Sequence, residues 1–138
     1  MRGQLLLEEL ITFLEDKIGR LNSSILLYEN LDDTLSPSIM SKVFDQLEIL
    51  NEQTQLLDIK FVTKLDLLKQ MNEVNALDAL VIDSQEVRNL FQDLKERITI
   101  TQEKEITLKA YERQLETSHK LVDKGKFKAI SAYKNINK

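Results

Sequence analysis

The chain has 138 residues, of which 42% are hydrophobic and 30% charged, a composition typical of one packed domain and not of a disordered chain. One proline and three glycines exclude a sheet with many turns and favour long helices. There is no cysteine, so disulfides and thiolate chemistry are excluded, which fits a cytoplasmic location. No apolar run approaches the ~20 residues of a membrane helix or forms a signal-peptide core, so we expect no stable membrane insertion.

Helix one is predicted over about residues 4–31. Its apolar residues recur in steps of four and three, the period of a helix that packs lengthwise against other helices. They are Leu7, Ile11, Leu14, Ile18, Leu21, Ile25 and Tyr28. A second apolar row at Leu6, Leu10 and Phe13 widens this seam, which favours a bundle within one chain over a narrow two-stranded zipper.

Helix two is predicted over about residues 37–75. Ser36 can cap its free amide groups, and Pro37 suits the first helical position because its missing N–H would be unpaired there anyway. The stripe then runs from Val43 to Met71 in threes and fours. We expect the apolar residues 76–83 to form the last turn of this helix and a connection over the end of the bundle.

Helix three is predicted over about residues 84–124. Asp83 and Glu86 have the spacing of a capping box, and Gly125 is a natural stop. The β-branched residues 98–101 weaken the middle, but a continuous helix is favoured over a strand. Because the apolar spacing shifts phase before Leu108, we expect a stutter there.

Residues 126–138 form a basic tail. Residues 119–138 carry a net charge of +5, and the rest of the chain carries −9. A nucleic-acid binder has basic charge spread over a face, and here it is confined to a short segment, so we expect no nucleic-acid partner.

The sequence contains only fragments of known metal-binding and catalytic motifs. Glu116 and His119 have the Glu-x-x-His spacing of di-metal helical bundles, but the chain has one histidine, so half of the ligands are missing. Ser131 and Lys134 match Ser-x-x-Lys without the companion motifs of acyl-serine enzymes. We predict a protein that is not an enzyme and that has no catalytic, cofactor or metal site.

Together these elements predict an all-α fold in which residues 1–125 form a three-helix antiparallel bundle. A long helical hairpin with coiled-coil-like packing dominates this bundle. Helix one is too short to cover both longer helices. The apolar surface from Leu108 onward is then left for a protein partner, most plainly an amphipathic helix laid into a groove.

This pattern resembles the bacterial flagellar type III export chaperones of the FlgN class, which serve the hook–filament junction proteins. The resemblance lies in the Leu/Glu-rich residues 5–10, in the helix-three region 94–115, and in Tyr133 near the end. It implies a cytoplasmic chaperone that acts by binding alone. The chaperone would bind an amphipathic terminal helix of a junction-type subunit, prevent premature assembly and deliver the subunit to the export apparatus.

The resemblance also implies a role for particular residues. The face that holds the client helix would consist of Leu108, Tyr111, Leu115 and Val122. The segment that docks on the export gate component would consist of Phe127, Ile130 and Tyr133.

Two other interpretations stay open. The main alternative is a structural coiled-coil adaptor or oligomerisation module without a secretion role. Isoleucine and leucine alternate along the seam of helix one, a pattern that favours parallel dimers, so a homodimer is one of the states to test. A third interpretation is weak contact of the lysine-rich tail with acidic membrane lipids.

Overall fold

A computed structural model describes the backbone of residues 1–121 and the side chains of residues 1–117. It contains three long helices, α1 (Gln4–Glu29), α2 (Pro37–Met71) and α3 (Gln85–Leu121). A single 3-10 turn at Leu77–Ala79 lies between α2 and α3. The described residues contain no strand. The prediction of an all-α three-helix bundle is therefore confirmed.

Helix α1 is the element against which the other two pack. It lies against both α2 and α3, whereas α2 and α3 approach each other closely at few places within the described residues. The seam residues Leu7 and Leu21 are buried, and so are Leu6 and Leu10 of the second row. The seam of α1 therefore faces its own bundle, as the width of the stripe predicts.

Two apolar clusters hold the helices together. The larger lies where α1 begins, α2 ends and α3 begins, and its buried members are Leu6, Leu7, Leu10, Leu14, Leu68, Leu80, Val87, Phe91 and Leu94. The smaller lies at the opposite end, where Phe44 and Leu47 of α2 contact Leu27, Tyr28 and Leu115. The middle of the bundle is more polar than either end.

The start of α2 follows the prediction and its end does not. The amide of Ile39 donates to Ser36 Oγ at 3.2 Å, which confirms the cap. The helix ends at Met71 and not near residue 75. Asn72 donates its side-chain amide to the carbonyl of Leu68 at 2.9 Å, and Glu73 has a left-handed φ of 54°. A left-handed residue cannot continue a right-handed helix, so the last turn ends there.

The connection between α2 and α3 covers the end of the bundle, as expected, although residues 76–83 include no part of α2. Leu80 is buried in the larger apolar cluster, and Leu77 and Ile82 pack against it. The predicted capping box at Asp83 is wrong, because the amide of Val87 bonds to Ser84 Oγ at 3.1 Å. Asp83 pairs instead with the N-terminal ammonium group of Met1.

Helix α3 is continuous through residues 98–101. The hydroxyl groups of Thr99 and Thr101 donate to carbonyls one turn earlier, on Lys95 and Arg97, at 3.2 and 2.8 Å. These bonds satisfy the threonine side chains within the helix. Helix α1 ends at Glu29, two residues before the predicted end. The predicted end of helix three and the basic tail lie outside the described residues.

Replacing Leu10 by alanine should lower the free energy of unfolding by about 2–5 kcal/mol, because it removes a fully buried side chain from the larger cluster. Urea denaturation followed by circular dichroism measures the change. Leu26→Ala is the matched control on the same helix, since Leu26 is exposed and its loss should cost under about 0.5 kcal/mol. Equal effects of the two substitutions would contradict the burial pattern.

Candidate partner-binding groove

A groove of about 410 Å³ lies between α2 and α3, with α1 as its floor. It exists because α2 and α3 both pack against α1 and approach each other closely at few places within the described residues. Its residues are Lys17 and Leu21 of α1, Asn51, Thr54, Gln55, Asp58, Phe61 and Val62 of α2, and Glu105, Leu108, Lys109 and Glu112 of α3. The lining combines apolar and charged side chains, which suits a partner that is itself amphipathic.

The floor of the groove is organised around the ammonium group of Lys17. It donates to Asp58 Oδ1 of α2 at 2.6 Å and to Glu105 Oε1 of α3 at 2.5 Å. Its side chain is only 11% exposed, whereas those of Asp58 and Glu105 are 51% and 38% exposed. One side chain of α1 therefore joins the two helices that make few close contacts with each other.

Burial alone would lower the pKa of Lys17, but the hydrogen bonds and the negative charges of Asp58 and Glu105 outweigh burial and raise it above its ordinary value. The lysine is thus a cation throughout the neutral range. Its charge is compensated by two carboxylates, so the three groups together carry one excess negative charge.

The layer around Lys17 contains further buried polar groups. Thr54 and Thr101 are both less than 9% exposed, and each hydroxyl donates to a carbonyl of its own helix. Such bonds satisfy the hydroxyls without help from a neighbouring helix. The layer separates the two apolar clusters and places hydrogen-bonding groups at the middle of the groove.

A tyrosine pair lies next to the groove. The rings of Tyr28 and Tyr111 stack with centroids 6.1 Å apart, and Tyr111 donates its hydroxyl to Glu29 at 3.2 Å. Burial, with the charge of Glu112, raises the pKa of Tyr28 to about 12. Below the groove a cavity of about 30 Å³ continues between Tyr28 and Leu108.

The structure brings three of the predicted partner-binding residues close to the groove. Leu108 lines it directly. Tyr111 belongs to the tyrosine pair next to it, and Leu115 packs against the cluster of Phe44 and Leu47. All three are half-buried and turned towards the bundle. The other four predicted residues, Val122, Phe127, Ile130 and Tyr133, lie outside the described residues.

The expected stutter in helix three is not needed to explain its packing. Half-buried or buried positions continue in steps of three and four through Ile98, Thr101, Glu105 and Leu108. The stripe seemed to shift because threonine and glutamate occupy positions where an apolar residue is the usual choice. The register of the helix is therefore constant across its middle.

The residues that sequence reasoning missed are the three charged groups of the floor. Lys17 lies three residues after Leu14 and four before Leu21, which is seam spacing. Glu105 lies four residues after Thr101 and three before Leu108, which is also seam spacing. A charged residue at a seam position was the available signal, because such a residue needs an oppositely charged partner if it is buried.

Two further findings concern metal binding and membrane insertion. In the part of the chain that the structure describes, no three His, Cys, Asp or Glu side chains are placed to hold a metal ion. None of the helices described is both long and apolar enough to cross a membrane.

Comparison of the chain with models of known protein families, with curated proteins and with solved structures finds no match in any of the three.

Replacing Lys17 by methionine should lower the free energy of unfolding by about 1–3 kcal/mol. The substitution leaves two carboxylates facing each other without a cation, and their partial exposure moderates the cost of a fully buried charge. Lys60→Met, an exposed lysine on α2, is the control and should change stability by less than about 0.5 kcal/mol.

Adding Asp58→Asn and Glu105→Gln to Lys17→Met should restore part of the lost stability, because neutral amides no longer repel each other. Thermal and urea denaturation of the unsubstituted chain, Lys17→Met, the triple variant and the Lys60→Met control measure the effect. If the triple variant is no more stable than Lys17→Met, repulsion between the two carboxylates is not the cause.

Proposed function

We propose that this protein is a non-enzymatic chaperone that holds an amphipathic helix of a client protein in the groove between α2 and α3. The observation that carries the proposal is the groove itself, with an apolar and charged lining and a floor formed by α1. Among clients, the sequence resemblance favours a terminal helix of a flagellar hook–filament junction subunit. The chaperone would act in the cytoplasm, keep that helix from assembling early and deliver the subunit to the export gate.

The dimensions of the groove support a helix as the bound element. Its lining spans residues 51–62 of α2 and 105–112 of α3. At 1.5 Å per residue these segments are about 16 and 10 Å long, which corresponds to two or three turns of a helix. An amphipathic helix in a groove contacts its partner through side chains spaced three and four apart, and such contacts fit this length.

The chemistry of the lining also supports binding. Phe61, Val62 and Leu108 offer apolar contact, and the charges of Lys17, Asp58 and Glu105 can set the orientation of a bound helix. Small sites of this type combine an apolar surface with a few polar groups that set the direction of the ligand. Closing the groove over a client would then bury apolar surface from both proteins.

Leu108→Asp should weaken binding of a purified junction-type subunit by tenfold or more, because it places a charge in the apolar wall of the groove. Titration of the labelled subunit with the full-length chain, followed by fluorescence anisotropy, measures the affinity. Circular dichroism should show unchanged helix content.

Ile106→Asp is the matched control for this experiment. Ile106 lies on the same helix, is 69% exposed and does not line the groove, so the substitution should leave the affinity within about twofold. If Leu108→Asp binds like the unsubstituted chain, or if both substitutions weaken binding equally, the groove is not the client site.

A second candidate function is a coiled-coil adaptor that pairs with another copy of the chain. The observation in its favour is an exposed apolar row on α2, where Ile49, Leu56 and Leu67 are 53%, 58% and 42% exposed. Two residues along a helix turn about 200°, so Leu56 lies on nearly the opposite side of α2 from Asp58 in the groove. The seam of α1 is occupied inside the bundle, so the adaptor would pair through exposed apolar residues such as those of this outer row.

Light scattering at low and high salt separates the two functions. The chaperone predicts a monomer. A tight dimer that resists salt and is broken by Leu56→Glu would instead favour the adaptor. Leu108→Asp serves as the control here, since a substitution in the groove should not alter a dimer formed through the outer row.

A further inference from the structure

The floor of the groove bears charge that an entirely apolar partner could not cover without cost. Five ionisable side chains line the groove, of which Asp58, Glu105 and Glu112 are acidic and Lys17 and Lys109 are basic. The groove thus has a small excess of negative charge. Burial of unpaired charge is strongly unfavourable, so the partner must supply something that compensates it.

The excess negative charge is concentrated at the carboxylates of Asp58 and Glu105. One oxygen of each accepts from Lys17, at 2.6 and 2.5 Å. Within the described residues the second oxygen of each accepts no further hydrogen bond. The lysine lies beneath, at 11% exposure, and the two carboxylates are the solvent-facing members of the group.

The two carboxylates are close enough for one cation to contact both. Because they accept from the same nitrogen, their bonded oxygens lie within about 5 Å of each other. A guanidinium group has five N–H donors in a planar fork and can bond to two carboxylates at once. It is also less strongly hydrated than an ammonium group, so it is desolvated more readily in a groove.

We propose that the groove selects a helix whose apolar stripe is interrupted by one arginine, which bonds to Asp58 and Glu105. Apolar residues three or four positions on either side of that arginine contact Phe61, Val62 and Leu108. This inference rests on the proposed function, and it adds the chemical feature by which the groove distinguishes one amphipathic helix from another. A stripe of leucine alone would bury the second oxygen of each carboxylate without a donor, and a stripe with glutamate at its centre would add repulsion.

Three stapled helical peptides of about 18 residues, long enough for five turns, test this inference. They share one leucine stripe and differ only at its central position, which is arginine, methionine or glutamate. Isothermal titration calorimetry against the full-length chain measures their affinities. The arginine peptide should bind about ten- to a hundredfold more tightly than the methionine peptide, and the glutamate peptide most weakly.

Substitutions in the protein test whether Glu105 is responsible for the preference for the arginine peptide. Glu105→Gln retains the size and a hydrogen-bond acceptor but removes one negative charge, so the ratio of arginine to methionine affinity should fall at least fivefold. Glu103→Gln is the matched control, two residues away and exposed, and should leave the ratio unchanged. Circular dichroism and urea denaturation establish that both variants are folded.

Each result has a distinct meaning. Equal affinity for the arginine and methionine peptides overturns this inference but leaves the groove as the client site. An arginine preference that survives Glu105→Gln also overturns it, since the preference then arises elsewhere. If no peptide binds, or if binding is unaffected by Leu108→Asp, the proposed function fails as well.

Discussion

The packing of one short helix against two long ones is the constraint from which the rest of this structure follows. Leu7 and Leu10 of α1 are completely buried, and burial of a leucine side chain contributes about 1.5–3 kcal/mol. Since α1 presents a wide apolar face, α2 and α3 each reach their lowest free energy against α1. They therefore have few close contacts with each other, and a groove is left above the middle of α1.

The polar layer within the bundle has a structural and a functional consequence. Lys17 can satisfy its hydrogen bonds only when Asp58 and Glu105 are both at its level. A slip of either long helix by one turn would remove one of the two carboxylates that compensate the buried ammonium group of Lys17, which is unfavourable. The same three residues make the floor of the groove polar. We infer that one interaction sets the register of the helices and shapes the surface offered to a partner.

The difference in length between the helices does not by itself determine where accessible apolar surface is left. Helix α1 has 26 residues, whereas α2 has 35 and the described part of α3 has 37. Where α1 ends, Leu115 of α3 packs against Phe44 and Leu47 of α2, beside Leu27 and Tyr28 of α1, so the end of the bundle is covered there. Accessible apolar surface in the groove lies instead beside the middle of α1, at Val62 and Leu108. The proposed client groove thus depends on the spacing between α2 and α3 more than on their ends.

The sequence by itself determined the number of helices, their order and most of their ends. Periodic apolar residues and the Ser36–Pro37 cap are local signals, and local hydrogen bonding and burial of a stripe suffice to form a helix. The end of α2 at Met71 depended on Asn72, whose side-chain amide donates to the carbonyls of Leu68 and of Arg2, far away in the sequence. Spacing within one helix does not reveal such a contact.

Only the tertiary structure decided which residues form the candidate site. Leu108 could be chosen from its place in an apolar stripe, but Lys17, Asp58 and Glu105 belong to three different helices. Lys17 and Glu105 occupy seam positions of their own helices, but nothing within one segment shows which charged groups of the other helices they meet. Whether these three side chains come into contact depends on the rotation and axial position of each helix relative to the others. The apolar packing of the whole bundle sets both.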